Sequence, residues 1–152
     1  NNLLCIPMRV GAHLVGVQLI DREGAKKFLT GQRTSGAEHV ISNDGPGAQD
    51  YFVEGYASGL SLRECLKALR LRYRLRICFS AHNLMTLAKS AGHGFVVADH
   101  DASGAGEKAA IGAGLPYYMP PELGQDINDL HKLHGTFKTS QILRKWLADV
   151  KK

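Results

Sequence analysis

The chain has 152 residues, 44% of them hydrophobic, and a formal net charge of +5, with a pI near 9.2. That length supports one domain with a real core and argues against two; the positive balance favours an anionic partner such as nucleic acid or a nucleotide without requiring one. Cys5, Cys65 and Cys78 are odd in number and show no C-x-x-C spacing, which argues against a disulfide framework or a zinc site and fits a reducing cytoplasm. No apolar run approaches the roughly 20 residues of a membrane helix, and the N-terminus has no signal-peptide pattern. The first residue is not Met and a strand begins almost at once, so a domain of a larger protein is expected.

Two strand-like runs, Leu3 to Val10 and Leu14 to Ile20, are split by Gly11-Ala12-His13 and predict a β-hairpin. Asp21-Arg22-Glu23-Gly24 is a second turn, followed by Lys26-Lys27-Phe28-Leu29 and a polar, basic stretch containing Arg33. Turn chemistry from Ser42 to Gln49 separates a β-rich N-terminal extension, residues 1–49, from a second unit, residues 50–152, the two packed as one compact body.

From Asp50 onward strands alternate with helices, the pattern of an α/β fold with a parallel sheet. Tyr51-Phe52-Val53 reads as a short buried strand ending in Glu54-Gly55. A helix capped by Ser58 or Ser61 runs to about Tyr73, and Leu75 to Phe79 forms the next strand. Asn83 is positioned to cap a helix that Gly92 stops. Phe95-Val96-Val97-Ala98 is apolar without alternation, as a strand covered on both faces must be. A small Ala- and Gly-rich helix follows from Ser103 to about Ala113, then a fourth strand, Leu115 to Met119. Asp126 to His131 opens a short helix, and a last helix runs from Thr139 to Val150.

The chemistry concentrates where the apolar strand stops. Asp99 and Asp101 lie two residues apart, so in extended backbone they point to one side, at the C-terminal end of a strand where α/β sheets bind ligands. His100 between them faces the other way, and the remaining histidines are scattered without ligand spacing. If the strands ending in Glu54 and Asp99 are neighbours, three carboxylates gather at one edge and need a cation or a shared proton. Hard oxygen donors suit magnesium (or manganese), and phosphoryl or nucleotidyl transfer is the natural chemistry.

Tyr51-Phe52-Val53-Glu54-Gly55-Tyr56-Ala57-Ser58-Gly59-Leu60-Ser61-Leu62, Ala81-His82-Asn83-Leu84 and Val97-Ala98-Asp99-His100-Asp101-Ala102-Ser103-Gly104 together resemble the Toprim domain of topoisomerases and primases. The version most similar is that of the primases, often fused to helicases, of phages, plasmids and related mobile elements. The pairing of E-G-Y with a D-x-D-x-x-G 45 positions later, each ending a strand, carries the resemblance. Asp126-Ile127-Asn128-Asp129-Leu130 resembles the family's later acidic segment, and Gly24 to Gly31 its glycine- and lysine-bearing lead-in. The resemblance implies a Toprim-like (Rossmann-like) four-stranded, mostly parallel sheet flanked by helices, extended by the N-terminal hairpin. It implies that Glu54, Asp99 and Asp101 are catalytic and hold magnesium, with Asp126 or Asp129 in support. The implied partners are a single-stranded DNA template, nucleoside triphosphates and further domains of the same polypeptide, such as a helicase or a zinc-binding domain.

Basic residues supply candidates for the anion. Arg63, Lys67 and Arg70 recur at helical spacing opposite a leucine stripe and form either a solvated face or a track for nucleic acid. Lys27, Arg33 and Lys108 are candidate phosphate contacts. Three other functions use the same residues: nuclease or topoisomerase-type cleavage on a Toprim domain, a non-catalytic nucleic-acid-binding module, and a haloacid-dehalogenase-type phosphohydrolase, whose D-x-D-x-T/S motif loosely matches Asp99, Asp101 and Ser103. In that last family the motif follows the first strand, whereas here two strands precede it.

Overall fold

The computed structural model describes residues 2–151. Three strands form a first sheet: β1 (Leu4–Val10), β2 (His13–Ile20) and β3 (Lys26–Phe28), all antiparallel in the order β1-β2-β3. β1 and β2 turn at Gly11-Ala12, with Val10 opposite His13. The Gln32 side chain lies over Gly16 and clamps β2, accepting from the Val17 N–H at 2.9 Å and donating to the Val17 carbonyl at 2.8 Å.

The second sheet has five strands in the order β4-β6-β5-β7-β8: β4 (His39–Asn43), β5 (Gln49–Val53), β6 (Tyr73–Ile77), β7 (Phe95–Val97) and β8 (Tyr117–Tyr118). Four of them are parallel; β4 adds antiparallel to β6 at one edge. Sequence reasoning led to four strands. It missed β4 because His39-Val40-Ile41-Ser42-Asn43 is short, half-exposed and followed by a glycine-rich loop, so neither alternation nor an apolar run marks it. β4 also joins residues of the expected N-terminal extension to the main sheet.

Four helices complete the fold: α1 (Tyr56–Ala68), α2 (Ala81–Ala91), α3 (Ala105–Ala113) and α4 (Ile127–Val150). The alternation hidden in the apolar strands becomes visible as two cores. Tyr51, Val53, Phe95 and Val97 pack with Leu62 and Leu66 of α1 and Leu130, Leu143 and Leu147 of α4. Phe52, Val96 and Ala98 pack on the opposite face with Leu84 and Ala88 of α2 and Ala109, Ala110 and Ala113 of α3. Both faces of β5 and β7 are therefore covered, which is why these strands show no polar alternation. Ile6 and Met8 of the first sheet extend the core on the α1/α4 side.

Several boundaries differ from those read in the sequence. α1 begins directly after Gly55 with no side-chain cap and ends before Arg70, whose φ of 55° closes the helix; Tyr73 already belongs to β6. The cap of α2 is Ser80, whose hydroxyl accepts from the Asn83 N–H at 3.1 Å, and Gly92 ends the helix in the left-handed conformation. Asn83 works elsewhere: its side chain accepts from the Gly36 N–H and donates to the Thr34 carbonyl, tying the 34–37 loop to α2. The two expected C-terminal helices, both within the α4 range, are separated at Gly135, whose backbone is not helical (φ 76°, ψ 170°), so that the second begins well before Thr139. Among the described residues, no helix is long and apolar enough to cross a membrane.

A candidate active site at the carboxyl edge of the parallel strands

β5 and β7 are hydrogen-bonded neighbours, with Val53 opposite Val97. Glu54 directly follows β5, and Asp99 follows β7 after Ala98, so both acids stand at the C-terminal edge of neighbouring strands. Alternation carries Asp99 to the α1/α4 side, where Asp126 caps the start of α4. Burial raises the affinity of the Asp99 carboxyl for a proton, and repulsion from Glu54 and Asp126 adds to it, so that its pKa is pushed up to about 7. Glu54 is raised in the same sense, by burial first and by the Asp101 charge second. These are carboxylates gathered without a matching cation in contact.

Asp101 behaves differently because the chain folds around it. Its carboxylate accepts from the Ser103 hydroxyl and from the backbone N–H of Ala105 (3.2 Å) and Gly106 (2.8 Å), the first turn of α3. The hydroxyl bond and the helix N–H groups favour the ionised form and hold its pKa near 2. Gly106 is required here: a methyl group on it would collide with the Asp99 carbonyl oxygen and lie 3.1 Å from Asp101 Oδ2. The D-x-D-x-S-G-x-G spelling thus encodes a turn that brings α3 onto its own acidic pair.

Asp126 and Asp129 form a reciprocal capping box, each carboxylate accepting the other's N–H, at 2.8 and 3.1 Å. Asp126 also accepts from Ser58 Oγ at 3.1 Å, which ties α1 to α4 beside the rim. Asp126 acts on Asp99 through its charge, while Asp129 is engaged by the cap. His100 turns away from the acids, its Nδ1 2.8 Å from the Pro120 carbonyl.

The basic candidates are dispersed. Arg63 and Lys67 on α1 both reach Glu64, at 3.0 and 3.6 Å, which neutralises part of that helix face. Arg70 lines a cleft of about 530 Å³ with Leu71, Arg144 and Leu147, at the end of α1 far from the acids. Arg33 Nε donates to the Ser35 carbonyl, and Lys108 is exposed on α3. Lys27 on β3 pairs with Leu19 on β2, and alternation sets it on the face opposite its neighbour Lys26.

Lys26, which reads in the sequence as part of a solvated basic segment, is the lysine that reaches the rim. Its Nζ lies over Gly55, 3.3 Å from where a methyl group on that glycine would be, and its charge acts on both Glu54 and Asp99. Little in the sequence could single it out from Lys27: only the register of a three-residue strand separates the two faces.

The donor set suits a hard divalent cation: carboxylate oxygens from Glu54 and Asp99, with Asp101 and Asp126 adding negative charge, and repulsion that a cation would relieve. Among the described residues, no three His, Cys, Asp or Glu side chains already converge on one point. An ion here would be held by one or two carboxylates and water, as magnesium commonly is. No protein-family model matches the sequence.

Proposed function

We propose that the chain is a Toprim-like catalytic domain of a DNA primase, performing magnesium-dependent nucleotidyl transfer to make primers for a phage or mobile element. The observation that carries this reading is the crowding of carboxylates: Glu54 and Asp99 stand at the ends of adjacent parallel strands at the ligand-binding edge, where Glu54 raises the proton affinity of Asp99 and Asp101 raises that of Glu54. A structural acidic turn gains nothing from such repulsion, whereas a site that recruits a cation and polyphosphate does.

Within this reading each residue has a role fixed by its surroundings. Asp101, kept ionised by Ser103 and by the first-turn N–H groups of α3 that its carboxylate occupies, supplies a permanent negative charge toward a cation at the rim. Glu54, with its raised proton affinity, is suited to accept the proton of an attacking 3′-hydroxyl or to share in holding the metal. Asp99 holds the ion, and Asp126 supports it through charge. Magnesium bound there would orient the phosphates and stabilise charge at the phosphorus under attack. The single-stranded template and the nucleoside triphosphate account for the net positive charge of the chain.

The test is magnesium-dependent synthesis of a dinucleotide or short primer from ribonucleoside triphosphates on single-stranded DNA. Asp99→Asn and Asp101→Asn are each expected to lower it by on the order of a hundredfold or more, with circular dichroism unchanged. Full activity in both variants overturns the assignment. Strand cleavage without synthesis moves the chemistry to a Toprim nuclease, and turnover of a generic phosphomonoester moves it to a phosphohydrolase.

A further inference from the structure

We propose that Lys26 is a tethered counter-cation of the carboxylate rim, occupying the approach to Glu54 and Asp99 until a divalent ion displaces it. The inference rests on the metal-binding reading of that rim and adds to it a competitor built into the N-terminal sheet.

Three contacts deliver this lysine. The turn before it is fixed by Asp21, whose side chain accepts the Ala25 N–H at 2.8 Å and whose backbone exchanges a further bond with Ala25. Two residues on, Phe28 stands on the same face of β3 as Lys26 and packs edge-on against Phe79, ring centroids 6.4 Å apart. Phe79 is in turn bound to the rim: its N–H donates to the Glu54 carbonyl at 2.8 Å, and its backbone holds a left-handed φ of 69°. The N-terminal sheet is thereby anchored one residue from the acid it serves, with Lys26 aimed over Gly55.

The ammonium is near the acids without being locked to them. Lys26 makes no salt bridge within 4.0 Å to any described carboxylate, and every residue of β3 is exposed. Burial disfavours the charged forms of Glu54 and Asp99, as do the charges of Asp101 on the first and of Glu54 and Asp126 on the second, and Lys26 opposes that effect at both. An ammonium on a flexible four-carbon stem can withdraw when a better cation arrives. Its positive charge then opposes the incoming ion, and the free and loaded states of the rim come closer in energy.

The measurement is manganese binding by electron paramagnetic resonance on the full chain, together with the melting temperature with and without manganese. Lys26→Met is expected to bind manganese roughly threefold to tenfold more tightly than the parent, as removal of one unit charge at a partly open site predicts. Its metal-free form is expected to melt lower and to gain more from manganese. Lys26→Arg keeps the parent affinity, and so does Lys27→Met on the opposite face. Unchanged or weaker manganese binding in Lys26→Met, with the parent binding normally, overturns the proposal and leaves the metal site intact. No binding in the parent or any variant removes both.

Discussion

The two ends of β5 carry a carboxylate each, Asp50 and Glu54, and the protein treats them in opposite ways. At the N-terminal end Asp50 is 4% exposed and fully engaged: Arg74 lies 3.0 Å from one oxygen and Arg76 3.3 Å from the other, with His93 at 3.7 Å. Arg76 also grips Glu38 through two bonds of 2.6 and 2.8 Å and lies over the Phe52 ring. Just past the C-terminal end, four residues later, Glu54 meets the Asp101 charge and a lysine, Lys26, that stands near it without closing an ion pair. A buried charge left unpaired costs several kcal/mol, so the first arrangement is what stability alone would select. The second departs from it at the edge where an α/β sheet binds ligands, and that departure is what the proposed function accounts for.

The contrast can be broken from either end. Arg76→Ala removes a cation shared by two acids and is expected to cost roughly 3 kcal/mol, measured by urea unfolding, while leaving manganese binding at the far rim unchanged.

At the rim the sign reverses. The Asp99 pKa rises from 3.8 to about 7 on folding, so the metal-free folded state binds a proton that the unfolded chain releases. Stability is then fullest at acid pH and falls as pH rises through that window. The shift corresponds to no more than roughly 4 kcal/mol, and solvent screening leaves on the order of 2. Melting of the metal-free protein between pH 5 and 8 should show this decline, and Asp99→Asn should flatten it. Asp101 moves oppositely, with a pKa held near 2, and its contribution is lost only below about pH 4, outside that window.

The smallest effect sharpens the comparison at the base. Glu38→Gln weakens one arm of the network while Asp50 still holds Arg76, and an unfolding change of about 1 kcal/mol is expected.

How much of this could be read beforehand follows the range of each interaction. The strands Phe95-Val96-Val97 and Tyr51-Phe52-Val53 were legible because burial on both faces leaves an unbroken apolar run, and the acidic pair because it ends one of them. That β5 and β7 are neighbours was only a condition in the sequence, since strand order depends on contacts between distant segments. β4 was invisible for the same reason: its partner Arg76 lies 36 residues beyond Val40. Asn83 illustrates a local rule overridden by tertiary structure, a good capping residue recruited to hold the 34–37 loop while Ser80 took the cap. Lys26 was indistinguishable from Lys27 until the register of β3 set their faces apart.

The placement of β4 has a consequence for how the chain may be divided. Because residues 39–43 run along β6, a fragment cut at the loop before β5 would leave β6 as a naked margin of unpaired N–H and C=O groups. Such a margin recruits whatever strand it meets, another copy of itself included. The short, half-exposed strand is therefore what covers that margin of β6.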